Sequence, residues 1–282
     1  MSDTMYFDSF FDLVQIFVKK KWVSHPLQKM AMENFGKLLL NLTDLQRKLI
    51  MELAERYCWL TPNELDAKLT NVLKKIEPEK LNSAKRIIVF PIMKPEDEHM
   101  VKSGHGIIYK IRGLKPFLSN YNHLEILEII KYSEIEEENF YAKPTDLIYL
   151  VDDYLGSGET LKATLDLILK NRSITIEQLN IITIASQADT ITFVQDYNIP
   201  LYFEDIQKRG ITDYYEELEA EEKIKVMREI ERLIPGSNFF SLGYNESEAL
   251  ITLTRTPDNT FPIFWKDHKK NGQEYKAPFP RY

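Results

Sequence analysis

Two adjacent carboxylates, Asp152 and Asp153, close the apolar run Leu147 to Val151, and the chain then reads Tyr154-Leu155-Gly156-Ser157-Gly158-Glu159-Thr160. Paired carboxylates suit the vicinal hydroxyls of a ribose, or a divalent cation shared with a ligand's oxygens. Glycines let the backbone curl so that successive N–H groups point inward at a phosphate. Ser157 and Thr160 add hydroxyl donors to that cradle. Leu161, Leu165, Ile168 and Leu169 follow at helical spacing, so a helix would bring its positive N-terminal end to the same anion. The chemistry these residues point to is the holding of a phosphorylated sugar. For the Asp pair alone, an acidic turn capping a helix is the simpler alternative, since Asp, Gly and Ser are ordinary turn residues.

The elements around this string must put it at a strand end. A continuous apolar run such as Leu147 to Val151 reads as a buried strand of a parallel sheet, and open α/β sheets bind ligands at the carboxyl ends of their strands. From residue 84 onward strands alternate with helices: strands at Arg86 to Ile92, Leu147 to Val151, Leu179 to Ala185, Ile199 to Phe203 and Ala249 to Thr254. Helices are expected at Leu124 to Tyr132, Thr190 to Tyr197 and, with an acidic solvated face, Asp213 to Leu233. The fold class is therefore α/β, a parallel sheet flanked by helices, over residues 84–282.

Residues 1–83 read as a separate helical region. Phe10, Phe11, Val14, Phe17 and Val18 form one apolar face; Leu45, Leu49, Ile50, Leu53 and Tyr57 form another, after the cap candidates Thr43 and Asp44. Thr61-Pro62-Asn63-Glu64 has the layout of a capping box, ahead of Leu65, Leu69, Val72 and Leu73. Two helices joined through Cys58-Trp59-Leu60-Thr61 fit a helix-turn-helix, of winged-helix type, or a packing and dimerisation module. The basic residues do not cluster on the would-be recognition helix.

Composition narrows the class. The 282 residues are 44% hydrophobic and 28% charged, ordinary for a globular protein with an ample core. No apolar run approaches the ~20 residues that span a bilayer, so no membrane is expected. The amino-terminal Met1-Ser-Asp-Thr-Met-Tyr6 lacks a signal-peptide layout, and the single cysteine, Cys58, excludes an internal disulfide framework; both suit a cytoplasmic protein. Residues 1–86 carry 14 Lys+Arg against 11 Asp+Glu, a net +3, while the rest of the chain is at −10. The positive excess is a weak hint of an anionic partner.

The thirteen residues Ile148 to Thr160 resemble the phosphoribosyl-diphosphate (PRPP) signature of type I phosphoribosyltransferases. The resemblance implies that Asp152 and Asp153 hold the ribose hydroxyls, with Mg²⁺ bridging them to the ligand, and that Gly156, Ser157, Gly158, Glu159 and Thr160 wrap the 5′-phosphate. No Lys follows the glycines, which separates the string from a Walker A loop. Such enzymes also hold pyrophosphate in a loop after the first core strand. Here that loop offers Lys94, Lys102 and Ser103-Gly104, so the implied catalytic set is Asp152, Asp153, Lys94 and Lys102. Glu96, Asp97 and Glu98 in the same loop would oppose phosphates unless a metal intervenes, and a plain surface loop is the alternative. His105, Tyr109 and Arg112 follow in a helix or flap, with Tyr109 and Arg112 on one face. A hood over the base would come from the Pro- and aromatic-rich tail, through Arg255, Asn259 and Trp265; packing of those aromatics into the core is the other reading.

Ser103-Gly104 ahead of Tyr109 and Arg112, the Asp-Asp loop, and the tail Thr256-Pro-Asp-Asn-Thr-Phe-Pro-Ile-Phe-Trp265 together resemble the PRTase-CE group of bacterial conflict systems. That resemblance implies a place in anti-phage defence, in some cases in a retron beside a reverse transcriptase and its RNA–DNA. Purine-salvage enzymes similar to hypoxanthine-guanine phosphoribosyltransferase carry an Asp where this chain has Gly156, which offers no side chain as base. Glu159 would repel a phosphate if it faced inward, and is favourable in a first helical turn if it faces solvent. Three readings stay open: an enzyme of pentosyl transfer, a PRPP or nucleotide sensor without turnover, or a nucleic-acid- or protein-binding component of a defence complex.

Overall fold

The computed structural model describes residues 2–136 and 138–281; Met1, the first residue of the amino-terminal stretch discussed above, lies outside them. The chain forms two compact units: Met1–Pro62 with Gln207–Tyr282, and Asn63–Ile206. This division differs from the boundary expected at residue 83. The first unit opens with α1 (Ser2–Lys19), α2 (Gln28–Leu40), α3 (Asp44–Arg56) and the short strand β1 (Cys58–Trp59). Thr43 caps α3 as expected: its hydroxyl accepts from the Gln46 N–H (3.5 Å), and its own N–H donates to the Gln46 side chain (3.1 Å).

The second unit runs through α4 (Pro62–Lys74, entering the unit at Asn63), α5 (Pro78–Ser83), β2 (Arg86–Pro91), α6 (Ser103–Leu114), β3 (Glu125–Glu128), α7 (Tyr132–Ile135), β4 (Asp146–Val151), β5 (Tyr154–Leu155), α8 (Glu159–Ile168), β6 (Leu179–Ile182), β7 (Ala185–Gln187), α9 (Ala188–Gln195), β8 (Leu201–Tyr202) and the start of β9 (Asp205–Gln207). Its five-stranded sheet has the order β3-β2-β4-β6-β8, every pairing parallel. β4, the central strand, is buried at all six positions, which is why it reads as a continuous apolar run. Ile88, Phe90, Ile148, Leu150 and Ile181 of the strands pack with Leu161, Leu165 and Ile168 of α8 in one core.

One expected helix here is a strand. Leu124 to Tyr132 splits into β3, which pairs along Ile87 and Ile88 of β2, and the short α7. A short apolar run does not distinguish strand from helix by period, and the open edge of β2 decides it.

The first unit closes with α10 (Glu217–Glu231), β10 (Ile251–Thr252), β11 (His268–Lys270) and β12 (Gln273–Tyr275). β10 pairs parallel with β1, Cys58 opposite Ile251 and Trp59 opposite Thr252. Cys58 and Trp59, the joint offered for either a helix-turn-helix or a packing module, form a strand held by the C-terminal chain, and α4 belongs to the other unit. The core joins both chain ends, with Phe279 stacked on Tyr57 (centroids 4.5 Å apart) and edge-on to Trp22 and Phe35. The buried face of α1 is Leu13, Ile16 and Phe17; Phe11, Val14 and Val18, expected inside, are exposed. Two apolar stripes run along α1 and the period does not say which one is covered. Among the described residues no helix is long and apolar enough to cross a membrane.

Candidate functional site

The loops that leave β2 and β4 start side by side, because Pro91 and Val151 are register partners. Beyond Val151 come Asp152 and Asp153, then β5, which pairs parallel with β7. The chain next curls through Gly156, Ser157 and Gly158 into α8. Gly158 is the residue before the helix and has φ 82°, a left-handed conformation that L side chains rarely adopt. The Thr190 hydroxyl of α9 donates to the Gly156 carbonyl, and the Phe193 ring of α9 lies over Gly158, where a Cβ would stand 3.0 Å from it. Ser157 and Glu159 are exposed, so the Glu159 side chain lies in the first turn of α8 and in solvent.

Asp152 is half-buried and Asp153 buried. The Ser103 hydroxyl, at the first residue of α6, donates to the Asp152 carboxylate, and the Asp153 N–H donates to the same oxygen (2.9 Å). Burial, and then the neighbouring Asp153 carboxylate, push Asp152 well above its ordinary value; burial raises Asp153 as well. Two acids held this way favour a bound cation or a ligand's hydroxyl donors over two bare charges.

In the loop after β2, Lys94 is half-buried, and among the described residues its ammonium has no hydrogen bond or ion pair. The residue before it is clamped. The Met93 N–H donates to the Thr164 hydroxyl (3.2 Å), and the Met93 carbonyl accepts from Tyr132. Sequence reading missed Thr164, Tyr132, Thr190 and Phe193. The signal for Thr164 was present: it is a hydroxyl on the apolar face of α8, between Leu161 and Leu165.

The other expected residues fall in three settings. Lys102 is ion-paired with Asp97 (2.8 Å). Tyr109 and Arg112 lie on α6, helical as expected; Tyr109 is 80% exposed and Arg112 pairs with Glu128 (3.4 Å). Arg255, Asn259 and Trp265, assigned to a hood, belong to the first unit. There Asn259 and Trp265 are buried: the Asn259 amide donates to Ser247 (3.1 Å) and the Trp265 indole N–H to the Thr260 carbonyl (2.8 Å). Packing inside their own unit accounts for these two, while Arg255 is exposed.

Among the described residues no group of three or more His, Cys, Asp or Glu side chains is arranged to hold a metal ion. Any cation at Asp152 and Asp153 would take its remaining ligands from a bound molecule or water.

Over residues 32–281 the chain matches the model of the PRTase-CE family. No curated protein matches it. Among solved structures it is similar to hypoxanthine-guanine phosphoribosyltransferase from Schistosoma mansoni in complex with IMP, at 13% identity and a TM-score of 0.26, covering 50% of this chain and 62% of that one. The chain thus spans less than two thirds of that enzyme's length.

Proposed function

Because the chain belongs to the PRTase-CE family of phosphoribosyltransferase-like proteins, we propose that its second unit binds PRPP or a nucleotide at the strand ends and catalyses pentosyl transfer. The observation that carries this reading is the convergence at one place of the Asp152–Asp153 pair, the curled Gly156–Thr160 loop on the N-terminus of α8, and the α6 N-terminus at Ser103. The N–H groups of the loop take the 5′-phosphate, and Lys94 with the Ser103-Gly104 turn takes the pyrophosphate. The acid pair takes the ribose hydroxyls. Displacement at the anomeric carbon then depends on holding ligand and acceptor in line and on stabilising the departing pyrophosphate.

The residues fit Mg²⁺, which binds through one or two carboxylates plus ligand phosphates rather than an all-protein cage. Asp152 and Asp153 would hold it, and when bound it would neutralise charge on the pyrophosphate.

The ion pair between Lys102 and Asp97 favours a second reading, in which the pocket binds its ligand and signals without turnover. The family resemblance supports a setting in bacterial anti-phage defence, with a reverse transcriptase and its RNA–DNA as partner. Calorimetric titration with PRPP and Mg²⁺, wild type against the double variant Asp152→Asn/Asp153→Asn, tests the pocket. Binding by wild type and not by the variant is expected, and wild-type protein that does not bind overturns both readings. Pyrophosphate release over a panel of bases and nucleotides then separates enzyme from sensor.

A further inference from the structure

Thr164 touches both halves of the proposed pocket. It lies one turn into α8, and its hydroxyl is within 2.9 Å of the Thr160 carbonyl, the last residue of the loop proposed for the 5′-phosphate. The same oxygen is 3.2 Å from the Met93 N–H and 3.0 Å from the Met93 carbonyl, the residue that sets the direction of Lys94. A hydroxyl has one proton and two lone pairs. Tyr132 donates to the Met93 carbonyl. Thr164 therefore accepts from the Met93 N–H and from Tyr132 (3.3 Å), and its one proton goes to the Thr160 or the Met93 carbonyl, both within reach. Met93 is 1% exposed and Thr164 is fully buried, so each of these groups loses water's hydrogen bonds if its partner is removed.

We propose that Thr164 is a positioning residue that fixes the spacing between the two anion subsites, matching them to a ligand that carries a phosphate at one end and a diphosphate at the other. The inference rests on the PRPP reading of the pocket. A two-ended ligand gains affinity only when both ends engage at once, so an error in spacing penalises it and spares ligands that use one end.

The test is calorimetric titration of wild type, Thr164→Val, Thr164→Ser and Tyr132→Phe with three probes: PRPP with Mg²⁺, ribose 5-phosphate, and pyrophosphate with Mg²⁺. Thr164→Val is expected to weaken PRPP about tenfold, from one unsatisfied buried N–H, and to leave each single-ended probe within about threefold. Thr164→Ser keeps the hydroxyl and restores PRPP binding. Tyr132→Phe, which removes one donor from the Met93 carbonyl and the Tyr132 contact to the Thr164 hydroxyl, gives the same pattern more weakly and carries the test if Thr164→Val does not fold. Equal weakening of all three probes, or no change for PRPP, overturns the coupling and leaves the pocket standing. Wild-type protein that binds none of the three probes overturns the pocket reading, and the coupling with it.

Discussion

The α-carbon of Gly104 is seated against the carbonyl of Val151, so close that a Cβ would lie 2.6 Å from that oxygen and 2.9 Å from the Cβ of Pro91. This contact sets the first turn of α6 on the ends of β2 and β4, and it is why the Ser103 hydroxyl reaches Asp152. Gly104→Ala must push the helix away from backbone that cannot give. The expected cost is about 1–3 kcal/mol of stability, read by urea denaturation. With it goes the Ser103–Asp152 hydrogen bond, and PRPP affinity falls further than the stability loss explains. Native stability in Gly104→Ala would show that the helix start has slack.

Gly158 is constrained by its backbone rather than by its neighbours alone. At φ 82° an alanine pays roughly 1–2 kcal/mol for the left-handed conformation, and its methyl also presses on Phe193. Thinning the ring by Phe193→Leu relieves the contact and not the torsion. The double variant Gly158→Ala/Phe193→Leu is therefore expected to recover little of the lost thermal stability.

Asp152→Asn separates stability from binding. Two adjacent acids repel each other, and burial raises the cost of charging both. The amide keeps an oxygen for the Ser103 hydroxyl and removes one charge. The variant is expected to melt above wild type in a ligand-free thermal scan and to bind PRPP poorly. A melting point below wild type would mean that the charge is structural.

Glu231 gives the first unit a pH dependence. Its carboxylate is buried and accepts from Ser241 (2.7 Å) and the Leu242 N–H (2.9 Å), with the Arg228–Glu246 pair (3.1 Å) nearby. Burial raises it to about 7, against the partial relief those donors and Arg228 provide. The folded chain holds this proton more tightly than the unfolded chain does. The stability it contributes is present below the ordinary carboxylate range and is lost as pH rises toward about 7. Urea midpoints measured between pH 5 and 8, within the range where this group titrates, should fall less steeply for Glu231→Gln than for wild type. Parallel profiles would assign the slope to other groups.

Phe279 is the C-terminal contribution to the aromatic core, in contact with Trp22, Phe35, Tyr57 and Trp59. Phe279→Ala should cost about 3–5 kcal/mol by denaturant unfolding, the range for emptying a buried aromatic site. A cost below about 1 kcal/mol would mean that the surrounding rings collapse to fill the space.

What could be read in the sequence follows how local the determining physics is. β4 was legible because all six of its positions are buried, and the Gly156–Thr160 loop because its glycines, hydroxyls and following helix are consecutive. Leu124 to Tyr132 was misread because pairing with β2 decides it. The face of α1 was misread because its cover comes from α2, α3 and residues more than 200 positions away. Met93, Tyr132 and Thr164 meet only through folding. Trp265 and Asn259 are residue types that can stack on or read a base, but their hydrogen bonds stay within their own unit.

The first unit is assembled from the two ends of the chain, with β1 paired to β10 and Tyr57 stacked on Phe279. On the ribosome these partners emerge far apart in time, with the whole of Asn63–Ile206 between them. The stretch Asn63–Ile206 is contiguous and is released whole while α1, α2 and α3 still lack the strand and rings that cover them. The helices α1, α2 and α3 therefore wait, with apolar surface open, until β10 and Phe279 have been made. That interval is when a chaperone has most to bind and when a truncated product is most prone to aggregate.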